Sequence, residues 1–414
     1  MAISITPKLR FKEFTDEWQE KKIGEVASIE RGRFSPRPRN DPKYYGGNIP
    51  FVQTGDVIKA NGIISEFTQT LNDDGLKVSK LFPKGTILIT IAANIGYTGI
   101  LKIDMACPDS LIGIKCKNNL ISNRFLNYYL STQQKYMNRI ASEAAQKNIN
   151  IEFLRPYKTP ITNLQEQEKI AEFLTTVDEK ISWLEKKKTQ FEKYKKGVMQ
   201  KIFSGKIRFK NSAGKNFPDW EEKKLGEIGK TYNGLTGKTA KDFGEGSPFV
   251  TYMQIFQNAL FGKMSKFGYV RIKNNENQNK IKKGDILFTT SSETPEEVGF
   301  SSAFLDEINS DIYLNSFCFG YRLNDIEKTL PKFLRFLFRS EFFRKKVIKL
   351  AQGSTRFNLS KNELMKAKIN LPNTEEQEKI AEFLTSIDNK VDLINNQLEQ
   401  AKVFKKGLLQ RMFA

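Results

Sequence analysis

Apolar residues recur at alternating three- and four-residue steps along two long stretches, Glu166 to Phe203 and Glu376 to Phe413. In the first, the a and d positions of a heptad fall on Ile170, Leu174, Val177, Ile181, Leu184, Lys188, Phe191, Lys195, Val198 and Ile202. In the second they fall on Ile380, Leu384, Ile387, Val391, Ile394, Leu398, Ala401, Lys405, Leu408 and Met412. Such a seam predicts a long helix in a coiled coil rather than a helix lying on one globular core. At 1.5 Å per residue each helix is roughly 57 Å long, so most of an isolated seam would stay wet. The natural cover for each is the other; two independent surface helices are the alternative. The rest of the chain alternates short β-rich runs with Gly, Pro and Asn turns, which predicts strands and hairpins. Two further helical stretches are predicted, Asn123 to Ile140 and Pro331 to Ala351.

The two long stretches are copies. Both open with the same ten residues, Glu166 to Thr175 and Glu376 to Thr385, and a constant offset of 210 aligns them without a gap. The preceding segments, about 14–155 and 217–365, are diverged copies of each other. Ile49-Pro50-Phe51-Val52 matches Ser247-Pro248-Phe249-Val250, Lys84-Gly85-Thr86-Ile87-Leu88 matches Lys283-Gly284-Asp285-Ile286-Leu287, and Ile95-Gly96-Tyr97 matches Val298-Gly299-Phe300. Asn150-Ile151 and Asn358-Leu359 are paired in the same way. A frame that repeats while its intervening loops do not fits two modules that read different versions of one ligand; drift after duplication is the alternative.

Leu9-Arg10-Phe11-Lys12 resembles Ile207-Arg208-Phe209-Lys210, which follows the first long helix. The chain therefore opens with a segment of the kind that follows a long helix, as in a nearly cyclic two-fold arrangement. Ser204-Gly205 stops the first helix. The short linker beyond it, and the return of the second helix, predict antiparallel helices with one globular domain at each end.

Charge narrows the choice of partner. The formal net charge is +20, and about +18 of it lies outside the two long helices. That balance points to a polyanion, most often nucleic acid; a basic chain kept soluble by its charge is the alternative. The sequence has no histidine, which excludes histidine acid–base catalysis, Ser-His-Asp triads and histidine metal sites. Cys107, Cys116 and Cys318 have no metal-ligand or disulfide spacing and are expected to be buried, reduced thiols. No metal site is expected. No apolar run is long enough to span a bilayer, and the N-terminus lacks a signal core, so a cytoplasmic, membrane-free protein is expected.

Catalytic signatures fail on inspection. Gly234-Leu235-Thr236-Gly237-Lys238-Thr239 is two residues short of a phosphate loop, with Tyr232 where glycine is needed. The glycines of 243–246 lack a dinucleotide-fold pattern. The carboxylates of the long helices are expected on solvated faces, away from any pocket. Binding chemistry is better represented. Arg31, Arg33, Arg37 and Arg39 share one Pro-interrupted loop that continues to Tyr44, and arginine forks suit phosphate or guanine edges. Gln53, Thr54, Asn94 and Tyr97 flank the matched strands of the first domain. Lys238, Lys241, Thr251, Tyr252, Gln254, Ser291, Ser292 and Thr294 occupy the corresponding places in the second. Amides can read adenine edges, and hydroxyls read less specifically.

Two variable domains alternating with near-identical helices, the Glu-Gln-Glu-Lys-Ile-Ala-Glu-Phe-Leu opening, the Lys-Gly-[Thr/Asp]-Ile-Leu strand and the run Ile49 to Val57 together resemble the specificity subunit of type I restriction–modification systems. The likeness covers nearly the whole chain. It departs at Thr251-Tyr252-Met253-Gln254-Ile255, which stands where the first domain has Gln53-Thr54-Gly55-Asp56-Val57. The resemblance implies an α+β fold: two pseudo-two-fold-related mixed α/β target recognition domains, 1–155 and 206–365, separated by helices within 156–205 and 366–414 that form an antiparallel coiled coil. It also implies a non-catalytic reader of a split DNA site, whose helices set the gap between half-sites and dock two methyltransferase subunits. S-adenosylmethionine would belong to those subunits, and ATP and Mg to a motor–nuclease subunit; none is implied for this chain. A self-sufficient methyltransferase is excluded because the chain lacks an Asn/Asp-Pro-Pro-aromatic motif. A coiled-coil scaffold or RNA-binding adaptor is the alternative function.

Overall fold

The computed structural model of the chain describes residues 7–143, 148–261, 266–307 and 310–413; the first six residues of the tail lie outside them. The protein is mixed α/β and divides into two compact units, residues 1–185 with 396–414, and 186–395. Each unit holds one β-rich domain and a half of each long helix.

The first unit is built on a five-stranded sheet in the order Ala27–Arg31, Leu111–Cys116, Ile87–Thr90, Thr98–Leu101, Gly62–Ile64. All its neighbours are antiparallel except the last pair. Ile87–Thr90 lies at its centre and is buried throughout. Successive side chains of a strand face opposite ways, and here they feed two different cores. Ile87 and Ile89 join Phe125 and Leu126 of the helix Asn123–Glu143. Leu88 points the other way, to Val52, Phe82 and Met105, on the side of a second sheet of Gln69–Leu71, Tyr45–Phe51, Met105–Cys107 and Lys80–Phe82.

The second unit repeats this order with Gly229–Asn233, Cys318–Leu323, Ile286–Thr289, Ser301–Phe304 and Leu260–Phe261. Ile286 and Phe288 face Phe333 and Leu337, and Leu287 faces Val250 and Phe261. Gly113 and Gly320 hold equivalent places in the two sheets. A Cβ on Gly113 would sit 2.3 Å from the Phe82 ring, and one on Gly320 would sit 1.9 Å from the Tyr232 ring, so both must be glycine for an aromatic ring to cover the strand. The predicted helix 331–351 is in fact two, Pro331–Arg339 and Glu341–Leu350. Ser340 between them is extended and accepts a hydrogen bond from the Phe343 amide, restarting the helix as a cap does.

The long helices are Leu164–Phe203 and Thr374–Met412. Asn163 and Asn373 cap them, each accepting from the amide of Glu166 or Glu376. Gly205, at φ +75°, closes the first, its amide bonding the Ile202 carbonyl at 2.9 Å. Within the first unit Asp178 pairs with Lys405 at 2.6 Å and Glu185 with Lys402 at 2.9 Å. Numbers rise on one helix as they fall on the other, so the segments run antiparallel. Within the second unit Lys195 pairs with Asp388, while Ile202 shares a core with Ile380 and Leu384. Lys195 and Lys405, two of the three lysines at seam positions, are thus each met by an aspartate of the opposite helix.

Ile170, Leu174, Ile181, Leu184, Ile380, Leu384, Ile387, Ile394 and Leu398 are buried, and Val177, Phe191 and Val391 are half-buried. Ile170 and Leu174 cluster with Leu408, Met412 and the domain residue Phe125, so toward this end the seam merges into the domain core.

Glu166 and Glu376 correct the expectation of solvated carboxylates, for both are fully buried. Glu166 accepts from Arg10 Nε and Nη2 at 2.6 and 2.8 Å and from Trp18 Nε1 at 3.1 Å. Glu376 accepts from Arg208 at 2.7 and 2.8 Å and from Trp220 at 3.0 Å. Hydrogen bonding to these carboxylates raises the pKa of both arginines. Gln167 and Gln377, also buried, accept from the amides of Ser122 and Leu330 at the start of the domain helices.

The likeness of the tail to 207–210 has a structural counterpart. Leu9 donates to the Arg411 carbonyl at 2.9 Å in the first unit, as Ile207 does to Lys201 at 3.1 Å in the second. The pairing of Asn150 with Asn358 is off by two. Ile149 donates to the Ile91 carbonyl as Leu359 does to Thr290, and Asn150 and Ser360 both cap short helices, so the offset of 210 already holds there. Cys107 and Cys318 are buried, but Cys116 is only half-buried because it ends its strand.

Candidate nucleic-acid interface

In the first domain the loop that follows Ala27–Arg31 leaves the sheet through Gly32, where a Cβ would meet the Pro108 carbonyl at 2.1 Å. That close approach brings the arginine loop against the turn Pro108-Asp109-Ser110. Arg31 donates to the Asp109 carbonyl at 2.7 Å, and Arg39 donates to both Asp109 carboxylate oxygens at 2.8 Å. Thr54 reaches Ser110 at 3.3 Å. Arg31, Arg39 and Thr54 therefore converge on one turn.

Arg33 and Arg37 do not join them. Arg33 donates to the carbonyls of Lys77 and Ser79, and Arg37 folds back on Phe34, Ser35 and Pro36. All four arginines are exposed. Tyr44 is half-buried and meets Phe34 edge-on at 6.1 Å, which makes it part of the floor beneath the loop. Gln53 precedes the helix Thr54–Lys59, its amide bonded by Asp56 at 2.8 Å. Asn94 and Tyr97 are exposed on the turn 92–97, where Ala93 takes φ +61° and the Tyr97 amide donates to Thr90 Oγ1 at 3.0 Å. Asp109 and Ser110 escaped the sequence reading, although Pro-Asp-Ser is itself a turn signal.

The second domain uses its equivalents differently. The Lys238 side chain is 2% exposed, paired with Glu276 and donating to the Arg271 carbonyl at 2.6 Å, whereas Lys241 is exposed. Thr251 caps the helix Tyr252–Gln257, and Gln254 Oε1 accepts from its amide and hydroxyl at 2.8 and 2.9 Å. The Tyr252 hydroxyl donates to the Ser291 carbonyl at 2.6 Å, and Ser292 donates to Glu297 at 3.0 Å. Thr294 is exposed and precedes the turn Pro295–Glu297. Tyr252, Ser291 and Ser292 form walls of a cleft of about 740 Å³, completed by Met253, Phe256, Glu293, Glu297, Phe317, Thr355 and Arg356.

Behind this cleft two arginines lie against the Phe300 ring. Arg339 and Arg344 lie 4.6 and 4.5 Å from its centroid. Their bonds among the described residues run to backbone carbonyls, of Ile255, Phe256, Asn258 and Ser301 for Arg339 and of Glu296, Val298 and Gly299 for Arg344. Burial pulls both guanidinium pKa values down to about 10, Arg339 further lowered by its neighbour. Both stay charged at neutral pH, with no carboxylate among those partners. In the first domain the neutral Gln134 plays the matching part, donating to the Ile95 carbonyl at 2.9 Å.

No group of His, Cys, Asp or Glu among the described residues could hold a metal, and no helix among them is long and apolar enough to cross a membrane. The family model described as type I restriction modification DNA specificity domain matches this chain twice, over residues 15–193 and 218–403. The chain is similar to the type I restriction enzyme MjaVIII specificity subunit of Methanocaldococcus jannaschii, at 24% identity over 408 residues, 95% of this chain and 91% of the relative. It is 28% identical over 250 residues to the MjaIX specificity subunit of the same organism, covering 56% of this chain and 57% of that one. The crystal structure of a type I restriction–modification S subunit from M. genitalium shares the fold, with TM-score 0.58, 18% identity and 99% of each chain covered. A chain from a structural study of assembly and conformational transition of the type I R-M system does so with TM-score 0.59, 17% identity and 96% and 97% covered. With both halves matched, the chain belongs to the type I restriction–modification DNA specificity family and carries two copies of its domain.

Proposed function

We propose that this chain is the DNA-reading, non-catalytic subunit of a type I restriction–modification complex, each domain recognising one half of a split, asymmetric site. The observation that carries this reading is one frame built twice with different side chains at the same places: an exposed arginine loop converging on Asp109 in one domain, and an aromatic cleft backed by Arg339 and Arg344 in the other. Phosphate contacts from the basic surface would position the reader, and base contacts from these loops would specify. In the first domain Arg31, Arg33, Arg37, Arg39, Asn94 and Tyr97 are the exposed candidates; Lys241 and Thr294 are those of the second.

The long helices would set the gap between half-sites and dock two methyltransferase subunits. Support comes from four of the large apolar side chains on their surfaces. Trp183 and Phe404 in the first unit and Leu393 and Tyr194 in the second are 52–58% exposed. The offset of 210 relates Trp183 to Leu393 and Tyr194 to Phe404, so each unit offers one such pair, as two copies of one partner would require. S-adenosylmethionine, ATP and Mg would enter with the partners.

Methylome sequencing of a host carrying this chain with its methyltransferase tests the reading. A bipartite motif with a fixed gap is expected. Methylation without a bipartite motif would instead favour a scaffold or an RNA-binding adaptor. Inserting a few residues into both helices is expected to lengthen the gap and leave both half-sites alone; an unchanged gap rejects the spacing role.

A further inference from the structure

We infer that Arg356, at the tip of a hairpin found at the cleft of the second domain, reads a base edge and fixes one position of that domain's half-site. The inference rests on the DNA-reading function proposed above and assigns a residue to it.

The hairpin joins Ala351–Gln352 to Phe357–Leu359, and its second strand also pairs with Ser291–Ser292. Leu359 anchors it in the core. The tip is tight. Gly353 takes φ +127°, and a Cβ there would lie 2.2 Å from the Arg356 carbonyl oxygen, so only glycine lets the loop close. A rigid base therefore presents an exposed arginine. Among the described residues its guanidinium meets one group, the Phe317 ring at 5.5 Å. Phe317 is itself 56% exposed, so the ring and the guanidinium share one open surface.

A guanidinium held beside a ring keeps its donors free at its edge, and a fork of donors matches the O6 and N7 acceptors of guanine. Thr355 stands beside it with a hydroxyl suited to either donor or acceptor. The charges of Arg339 and Arg344 behind the cleft favour an anionic duplex here. Glu293 and Glu297 also line the cleft and oppose phosphate there, which favours a base edge over the backbone as the partner of Arg356.

The test uses the full chain with its methyltransferase, in a host whose methylome is sequenced, with Arg356→Ala and Arg356→Lys beside the wild type. With Arg356→Ala, preference at one position of one half-site is expected to relax by roughly 5- to 150-fold, the worth of one bidentate contact, while the other half-site keeps its sequence. Arg356→Lys retains charge without the fork and is expected to relax the same position. Full rescue by lysine would overturn base reading in favour of a phosphate contact. An unaltered motif in the alanine variant, or a uniform loss of methylation with the motif intact, would overturn it as well. The wild type separates the two readings: failure to give a bipartite motif sinks the proposed function, whereas a bipartite wild-type motif unchanged by Arg356→Ala sinks only the role of Arg356.

Discussion

Replacing Arg208 with alanine removes two of the three donors to a carboxylate that no solvent reaches. Glu376 is fully buried and accepts at 2.7 and 2.8 Å from Arg208 and at 3.0 Å from Trp220. After the change only the indole remains. Stranding one partner of a buried pair costs about 3–5 kcal/mol. For a unit of this size each kcal/mol shifts the midpoint by about 2–4 °C, so the transition of the second unit is expected to fall by roughly 6–20 °C. The assay is calorimetry of the full chain, which resolves the two units if they melt apart. Arg208→Lys keeps the charge but loses the fork and should fall between. Adding Glu376→Gln to Arg208→Ala removes the stranded charge and should recover part of the loss, the signature of coupling in a double-mutant cycle. Arg10→Ala removes the same two donors in the first unit, but there the Thr162 hydroxyl and the Trp18 indole both stay on Glu166, so it should cost less. A midpoint for Arg208→Ala within 2 °C (~1 kcal/mol) of the wild type would refute the view that this node joins helix to domain.

Two further outcomes are expected. Leu184→Asp with Leu398→Asp places charges at buried seam positions of the two long helices, each costing at least the about 2–5 kcal/mol of a truncated core leucine; a circular-dichroism melt identical to the wild type would count against the seam. Asp109→Asn removes the charge that holds Arg39, so the slope of log K for DNA against log salt should steepen by about 0.9 for each phosphate that the released arginine neutralises, and an unchanged slope would show that Arg39 does not reach the backbone.

Periodicity made the architecture legible. Heptads and a gapless offset were enough to place the two long helices, and the matched Lys-Gly-x-Ile-Leu runs marked the central strands Ile87–Thr90 and Ile286–Thr289, where alternation feeds a core on each face. What stayed hidden depended on contacts distant in sequence. Glu166 reads as one more helix carboxylate until Arg10, 156 residues away, closes on it. Arg39 reads as a free cation until Asp109 takes it, and Lys238 until Glu276 does. The break at Ser340 was visible in principle as a capping serine, but a continuous apolar run masked it. Arg356 carried no motif; its place follows from strand pairing and from a glycine whose need is evident only in three dimensions.

The pattern of what repeats and what varies has a physical logic. Residues shared between the units, Arg10 and Arg208, Trp18 and Trp220, Glu166 and Glu376, Gln167 and Gln377, fasten the opening of each long helix to its own domain through buried, fully directional bonds. A charge or amide in such a place tolerates little change, because an abandoned partner has no water to turn to. The loops at the other edge face no such penalty. The neutral Gln134 of one domain and the charged Arg344 of the other brace matching turns from behind, at Ile95 and at Val298 and Gly299. The fold thus holds each candidate reading surface by a constant node and leaves its chemistry open to substitution. On that account a change at the node should disturb stability and every half-site contact of its unit together, whereas a change at Arg356 or Asp109 should alter recognition while the melting transition stays in place.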